Sequence, residues 1–402
     1  AEAYPAPFAQ STVGKSERII GSWLKQHKSS ATGALKNTLS SSFRDSIVLS
    51  TNICGYGPDI TWCRKDGAPT QLTPNQIVEA VDGQLERLGT DYIDLLQFHW
   101  PDRNCHVPIN GAPFTYNRQR NDATPIEDQL QTIADLMKAG KIRSFGLSNE
   151  TPYGATSFLK AAEYNKTLPR PVSIQNTLNL LEGYNELDMG LREVCVAENG
   201  NLGFIASSPL AGQHIMFMFV LFYTNLTCEI SHIEIKIEII SKLFFFTLLY
   251  VTIFIFFFVT VGGALTQKYL DLKNSSPNYR MREYLGFMYR NIAPPAMEAV
   301  RAYSDVIKSY DIPLAPIALA WVASQTPVIS TLLGVSDAQQ LKQNVQALNL
   351  VPLGRELLEE INSLRRKYVD PTKGSFPIID PSVEYEDPAL LPWGSKDEDV
   401  DP

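Results

Sequence analysis

The 402-residue chain lacks the features that would mark several common functions. No glycine-rich G-x-G-x-x-G follows any of its β-like runs, which argues against a Rossmann-type dinucleotide site. Basic residues are outnumbered, 35 Lys and Arg against 43 Asp and Glu, for a net charge of −8. Without a basic stripe to displace counterions from phosphates, a nucleic-acid partner is set aside. The five cysteines, Cys54, Cys63, Cys105, Cys195 and Cys228, are odd in number and scattered, with no C-x-x-C pair and no histidine at ligand spacing. They read as reduced thiols of a cytoplasmic protein, not as a disulfide framework or a metal site. The opening AEAYPAPF has no basic n-region, no apolar h-region and no initiator methionine, so it reads as a fragment or a shortened gene model rather than a processed secreted protein.

What is present is an alternation. From residue 46 onward, short β-branched runs alternate with longer segments of helical period, the pattern of βα units around a parallel sheet. The expected strands are IVLST (47–51), IDLLQF (93–98), IRSFGL (142–147), PVSIQ (171–175), GFIASS (203–208) and VISTLL (328–333). Thr73-Pro74 and Thr124-Pro125 each place a capping hydroxyl before a proline suited to the first helical position. Behind them, Ile77, Val81, Leu85 and Leu88, then Ile126, Leu130, Ile133 and Met137, form apolar stripes. Periodicity alone fits either an open doubly wound sheet or an incomplete eight-stranded barrel. The strands end on polar side chains able to do chemistry, which favours a (β/α)8 barrel with its site at the C-terminal face.

Residues 213–262 break this pattern with a proline-free block rich in Phe and Ile. Within it, Leu243–Val261 is an uncharged apolar run of about the length that crosses a bilayer. A genuine span would have to leave the middle of a barrel with no second span to return, and would make the protein membrane-anchored. Removal of the block instead joins SSPLAG to GALTQKY in one continuous strand-loop-helix segment, so the block reads as a translated intervening sequence. The expected organisation is therefore barrel over 1–212, insert over 213–262, barrel again over 263–370, and an acidic, proline-rich tail over 371–402.

LGTDYIDLLQFHWPD (88–102) ends an expected strand on His99. Taken alone, His99 is as well read as a structural histidine between Phe98 and Trp100. KIRSFGLSNET (141–151) ends on Ser148 and Asn149, and PVSIQNTLNLL (171–181) carries Gln175. Singly, each is a strand-end cap or turn former; together they offer uncharged donors and acceptors at successive strand ends. In order and spacing these segments resemble the aldo-keto reductase superfamily, and the WPD after His99 with the stretch 102–124 is most similar to its Tas-type branch.

The resemblance implies an NADPH-dependent carbonyl reductase on a (β/α)8 barrel whose first strand-helix unit is missing here, acting on a small aldehyde or ketone. It places Tyr4 as the catalytic tyrosine and His99 as the residue that holds the carbonyl. Ser148, Asn149 and Gln175 would bind the nicotinamide amide, and Ser208 and Leu210 would line the pyrophosphate path. Ser336, Gln340, Gln343 and Asn344, at the start of the helix in LLGVSDAQQLKQN (332–344), would take the 2′-phosphate. Two departures stand out: Asn52 replaces the family lysine that tunes the tyrosine, and Ser207 stands where many members stack a tyrosine on the nicotinamide. Activity is therefore expected to be impaired, with a catalytically weak NADPH-binding barrel as the alternative. The sequence carries no signal for oligomeric state.

Overall fold

The structure is a computed structural model that describes residues 2–4, 10–29, 43–103, 122–183, 187–188, 190–212, 220–222, 263–270, 289–335 and 338–372. Its frame is a sheet of β1 (Ser50–Ile53), β2 (Ile93–Phe98), β3 (Ile142–Ser148), β4 (Ser173–Thr177), β5 (Gly203–Ser207), β6 (Val220–Phe222) and β7 (Val328–Leu332), ordered β1-β2-β3-β4-β5-β7-β6. Six of these strands run parallel, and β6 joins the β7 edge antiparallel. Helices α1 (Lys15–Ser29), α2 (Pro74–Leu88), α3 (Ile126–Lys138), α4 (Pro152–Tyr164), α5 (Leu191–Cys195), α6 (Pro294–Ile307), α7 (Leu314–Ala323), α8 (Ala338–Gln346) and α9 (Arg355–Lys367) accompany it. This is an α/β fold with six parallel strands, consistent with the expected barrel.

The parallel order follows from burial. Every residue of β2 is buried, as a strand covered on both faces requires. Behind it, Phe98, Phe145 and Phe158 lie 5.8–6.3 Å apart between ring centroids, locking α4 to β2 and β3. Each such side chain contributes roughly 1.5–3 kcal/mol by leaving water. The two stripes meet the sheet as expected, with Ile77, Val81 and Leu88 of α2 and Leu130 and Ile133 of α3 buried.

The caps differ from expectation in one case. Thr73 caps α2, its hydroxyl accepting from the Gln76 N–H at 3.4 Å. Thr124 does not cap α3, which begins at Ile126 with no side-chain cap; the Thr124 N–H instead donates to Asp102 Oδ2 at 2.7 Å. The unexpected cap is Thr151, whose hydroxyl accepts from Gly154 N–H at the start of α4. The first strand is also shifted, to 50–53 in place of 47–51. Residues before it are held by side chains: the Leu49 N–H donates to Asp94 Oδ2 at 2.9 Å, and Asp94 pairs with Arg44 at 2.7 Å.

The insert's flanks meet. The Ala264 N–H donates to Ala211 O at 2.7 Å and the Leu265 N–H to Leu210 O at 3.3 Å, while any Cβ on Gly263 would lie 1.8 Å from Leu210 O. The chain thus departs and returns at one point after β5. Of the block itself, only β6 is among the described residues. The run Leu243–Val261 and the tail from 373 lie outside the described residues, and among the described ones no single helix is long and apolar enough to cross a membrane.

Candidate active site

The C-terminal ends of the parallel strands gather the polar residues. His99 directly follows β2; its N–H donates to Ile53 O at 2.7 Å, so the end of β1 fixes its backbone. Across it stands Tyr4, half-buried, with ring centroids 5.4 Å apart and planes tilted by 39°. Trp100 covers another side of the imidazole at 4.7 Å. Burial pushes the His99 imidazole down from 6.5 to about 3, so it is neutral across the physiological range. A neutral imidazole can donate a hydrogen bond without carrying charge.

Tyr4 is placed by its neighbour Glu2. The Glu2 N–H donates to Asn52 O at 3.2 Å, and its carboxylate accepts from the Cys54 N–H at 2.8 Å and twice from Arg64, at 2.9 and 3.0 Å. This ion pair is almost wholly buried, with side chains 3% and 0% exposed. Sequence reasoning missed it, because a pairing across 62 positions carries no local signal. Asn52, on β1, is buried, and its carbonyl also accepts from Gln84 Nε2 at 2.9 Å. The next turn needs glycine: a Cβ on Gly55 would sit 1.9 Å from Trp100 O, so the chain leaving β1 runs against the segment after His99.

The expected amide-binding residues also converge. Ser148 and Gln175 face each other in the β3–β4 register, and the Asn149 N–H donates to Gln175 O at 2.9 Å. Asn149 is left-handed, at φ 51°, a conformation asparagine tolerates better than most residues. Its Nδ2 donates to His99 O at 2.8 Å and to Ser148 Oγ at 3.3 Å, so both amide protons are engaged within the protein. Gln175 differs: its Oε1 is buried and has no hydrogen-bond partner among the described residues. A buried acceptor of that kind costs about 1–3 kcal/mol until a donor arrives.

Ser207 ends β5 half-buried. Ser208 takes a left-handed φ of 52°, and its carbonyl accepts from Asn179 Nδ2 at 3.0 Å. Leu210 is buried where the insert's flanks meet. Ser336 lies outside the described residues, whereas Gln340 is half-buried and Gln343 exposed on α8. Asn344 lines a small crevice with Leu319, Ser330 and Leu348. A cavity of about 210 Å³ opens between the ends of β2 and β3 and the starts of α3 and α4, lined in part by Asp102, Arg103, Ser148 and Glu150. Tyr4, Asn52 and His99 do not line it, so this cavity is not where the tyrosine and histidine meet.

Polar side chains at the C-terminal ends of parallel strands, with a tyrosine beside a neutral histidine, are the arrangement expected of a barrel-type enzyme site. The chain belongs to the aldo/keto reductase family, whose profile matches residues 1–216 and 252–366. It is 33% identical over 335 residues to an aldo-keto reductase of Babesia bovis, covering 81% of this chain and 98% of that protein. It is 30% identical over 373 residues to the protein tas of Escherichia coli K12, covering 92% of this chain and 85% of that one. A more distant relative, at 23% over 346 residues, is an NADH-specific methylglyoxal reductase of the same bacterium, covering 84% of this chain and 76% of the relative. Family membership implies NAD(P)H-dependent reduction of small carbonyl compounds.

Proposed function

We propose that the chain binds NADPH and reduces an aldehyde or ketone to an alcohol, with weak turnover because Asn52 replaces a lysine. The observation that carries this reading is the Tyr4–His99 pair at the strand ends, with ring centroids 5.4 Å apart. When bound, the dinucleotide supplies the hydride. Tyr4 gives its phenolic proton to the carbonyl oxygen, and neutral His99 orients and polarises that oxygen by donating a hydrogen bond. Ser148, Asn149 and Gln175 hold the nicotinamide amide. The unpartnered Gln175 Oε1 fits an amide N–H, and with its protons already engaged, Asn149 offers only its carbonyl oxygen to a ligand. Ser207 lies at the nicotinamide face where many members stack a tyrosine, Ser208 and Leu210 follow the pyrophosphate, and Ser336, Gln340, Gln343 and Asn344 serve the 2′-phosphate; the choice of NADPH over NADH rests on this last group.

Residues 213–262 are read as an insert separate from the barrel, supported by the meeting of its flanks and by the break in the family match over 217–251. The tail 371–402 is assigned no role in the reaction.

A second reading, a barrel that binds NADPH and turns over little, is favoured by one residue. Asn52 is buried and neutral, so it cannot lower the phenol's pKa as an ammonium does. Asn52→Lys separates the two. Positioned acid-base catalysis is worth ~10²–10⁴-fold, so the variant should raise kcat on a reactive nitrobenzaldehyde by at least about tenfold with NADPH affinity nearly unchanged. Tyr4→Phe in that background should remove the gain. An Asn52 protein already as fast as its lysine variant would refute the account of the defect. NADPH binding without turnover in either protein would establish the binding barrel instead.

A further inference from the structure

Beside the Tyr4–His99 pair lies a small apolar cluster of Ala3, Cys54, Ile60 and Trp100, with Trp62 and Cys63 packed against it. Cys54 and Cys63 are both free thiols, and they share this one cluster. Their meeting is built into the backbone. One carboxylate, that of Glu2, accepts from the Cys54 N–H at 2.8 Å and from Arg64 at 2.9 and 3.0 Å, and Arg64 Nη1 also donates to Cys63 O at 3.1 Å. The segment between the cysteines is tied down as well. Its Tyr56 N–H donates to Pro101 O at 3.3 Å, and Gly57 bridges to Thr70. No third histidine, cysteine or acidic side chain joins them in a metal-holding group among the described residues.

The two sulfurs are unequal. Cys54 is fully buried at the end of β1, whereas Cys63 is half-exposed at the start of a turn. The Arg64 guanidinium interacts electrostatically with both. That is the arrangement of an accessible thiol that reacts first, backed by a buried one that resolves.

We propose that Cys54 and Cys63 form an oxidisable dithiol, a modification site at the mouth of the barrel that closes to a disulfide on reaction with a peroxide. The Cys63 sulfur attacks one peroxide oxygen, breaking the O–O bond, and the thiol proton passes to the departing hydroxide, giving a sulfenic acid and water. The Cys54 thiol then displaces the hydroxyl from that sulfur as a second water. In sum, two thiols and one hydrogen peroxide give one disulfide and two waters; sulfur is oxidised and peroxide oxygen reduced. Thiols packed in one cluster reach the ~2.05 Å bond length by a movement of the loop that carries Cys63. The bond ties residues 55–62 to the strand that carries Asn52, beside the Trp100 that covers His99. This site depends on the thiol geometry and not on the carbonyl-reductase reading.

The test uses the reduced full-length chain and stoichiometric hydrogen peroxide, followed by unfolding, alkylation, digestion and mass spectrometry. The expected result is a Cys54–Cys63 linked peptide, loss of two of the five thiols, and their return with dithiothreitol. In Cys63→Ser, Cys54 should remain alkylatable and enter no other link. Peroxide treatment in concentrated urea should lower the yield of the linked peptide several-fold, because the pairing is a property of the fold. Oxidation of Cys63 to sulfinic acid without linkage would overturn the proposal. So would survival of both thiols while other cysteines react, or an undiminished yield of the link in urea.

Discussion

The neutral His99 carries a stability cost that can be measured. In the unfolded chain a histidine takes up a proton near its ordinary 6.5, but in the fold burial delays that to about 3. Between those values the unfolded state binds more protons than the folded one, so stability is full above about pH 6.5 and falls as the pH drops. Below about 3 the loss is complete and no longer grows. At ~1.4 kcal/mol per pKa unit, the whole displacement is worth up to roughly 5 kcal/mol, and local opening of the site reduces that figure. The perturbation is His99→Gln, which keeps a polar side chain but takes up no proton in this range. The assay is urea unfolding, followed by tryptophan fluorescence, at a series of pH values for both proteins. General acid effects on other groups cancel in the difference between them. Wild-type stability minus variant stability should be constant above about pH 7 and decline by at least ~2 kcal/mol by about pH 4. A difference that stays level through this window would mean that His99 charges freely inside the fold. The assignment of a neutral imidazole as hydrogen-bond donor would then fail.

Three further outcomes are expected. Gln175→Leu removes an unpartnered buried acceptor, so calorimetric stability should hold or rise slightly while NADPH affinity weakens by about 5–10-fold, one hydrogen bond's worth; lower stability with unchanged affinity would refute the cofactor role. Arg64→Met strands the buried Glu2 carboxylate and should cost roughly 3–5 kcal/mol in denaturant unfolding, with more than half regained in the Glu2→Gln, Arg64→Met double variant. Deletion of 213–262, joining Gly212 to Gly263, should lose no stability and gain up to ~3 kcal/mol from the shorter loop. A deleted chain that unfolds more easily than the full one would show that the block supports the barrel, β6 on the β7 edge being the contact through which it would do so.

How far the site could be read in the sequence follows from the range of each interaction. β2 was legible to the residue, because its buried run begins and ends where hydrophobicity does. β1 was not, because residues 47–49 are β-like in composition but held by the side chains of Asp94 and Arg44, which come from other segments. The same holds for caps. Thr73 and Thr124 look alike in sequence, yet the Asp102 carboxylate, 22 positions away, holds the Thr124 N–H and the helix begins after it. The candidate residues that sequence order exposed were those at strand ends, His99, Ser148, Asn149 and Gln175, since strand alternation fixes which of them reach one edge. What it could not expose were the residues that hold the edge in place. Asn149 ties β3 to the His99 carbonyl, and Glu2 joins Arg64 to the end of β1, each through a contact set by the fold's closure. Tyr4 belongs to both groups. Its identity could be read from its neighbours in sequence, but its approach to His99 depends on a buried ion pair that no local pattern contains. The effect proposed for Asn52 is therefore separable: the frame that brings tyrosine to histidine is built by Glu2, Arg64 and Asn149, none of which requires a lysine at position 52.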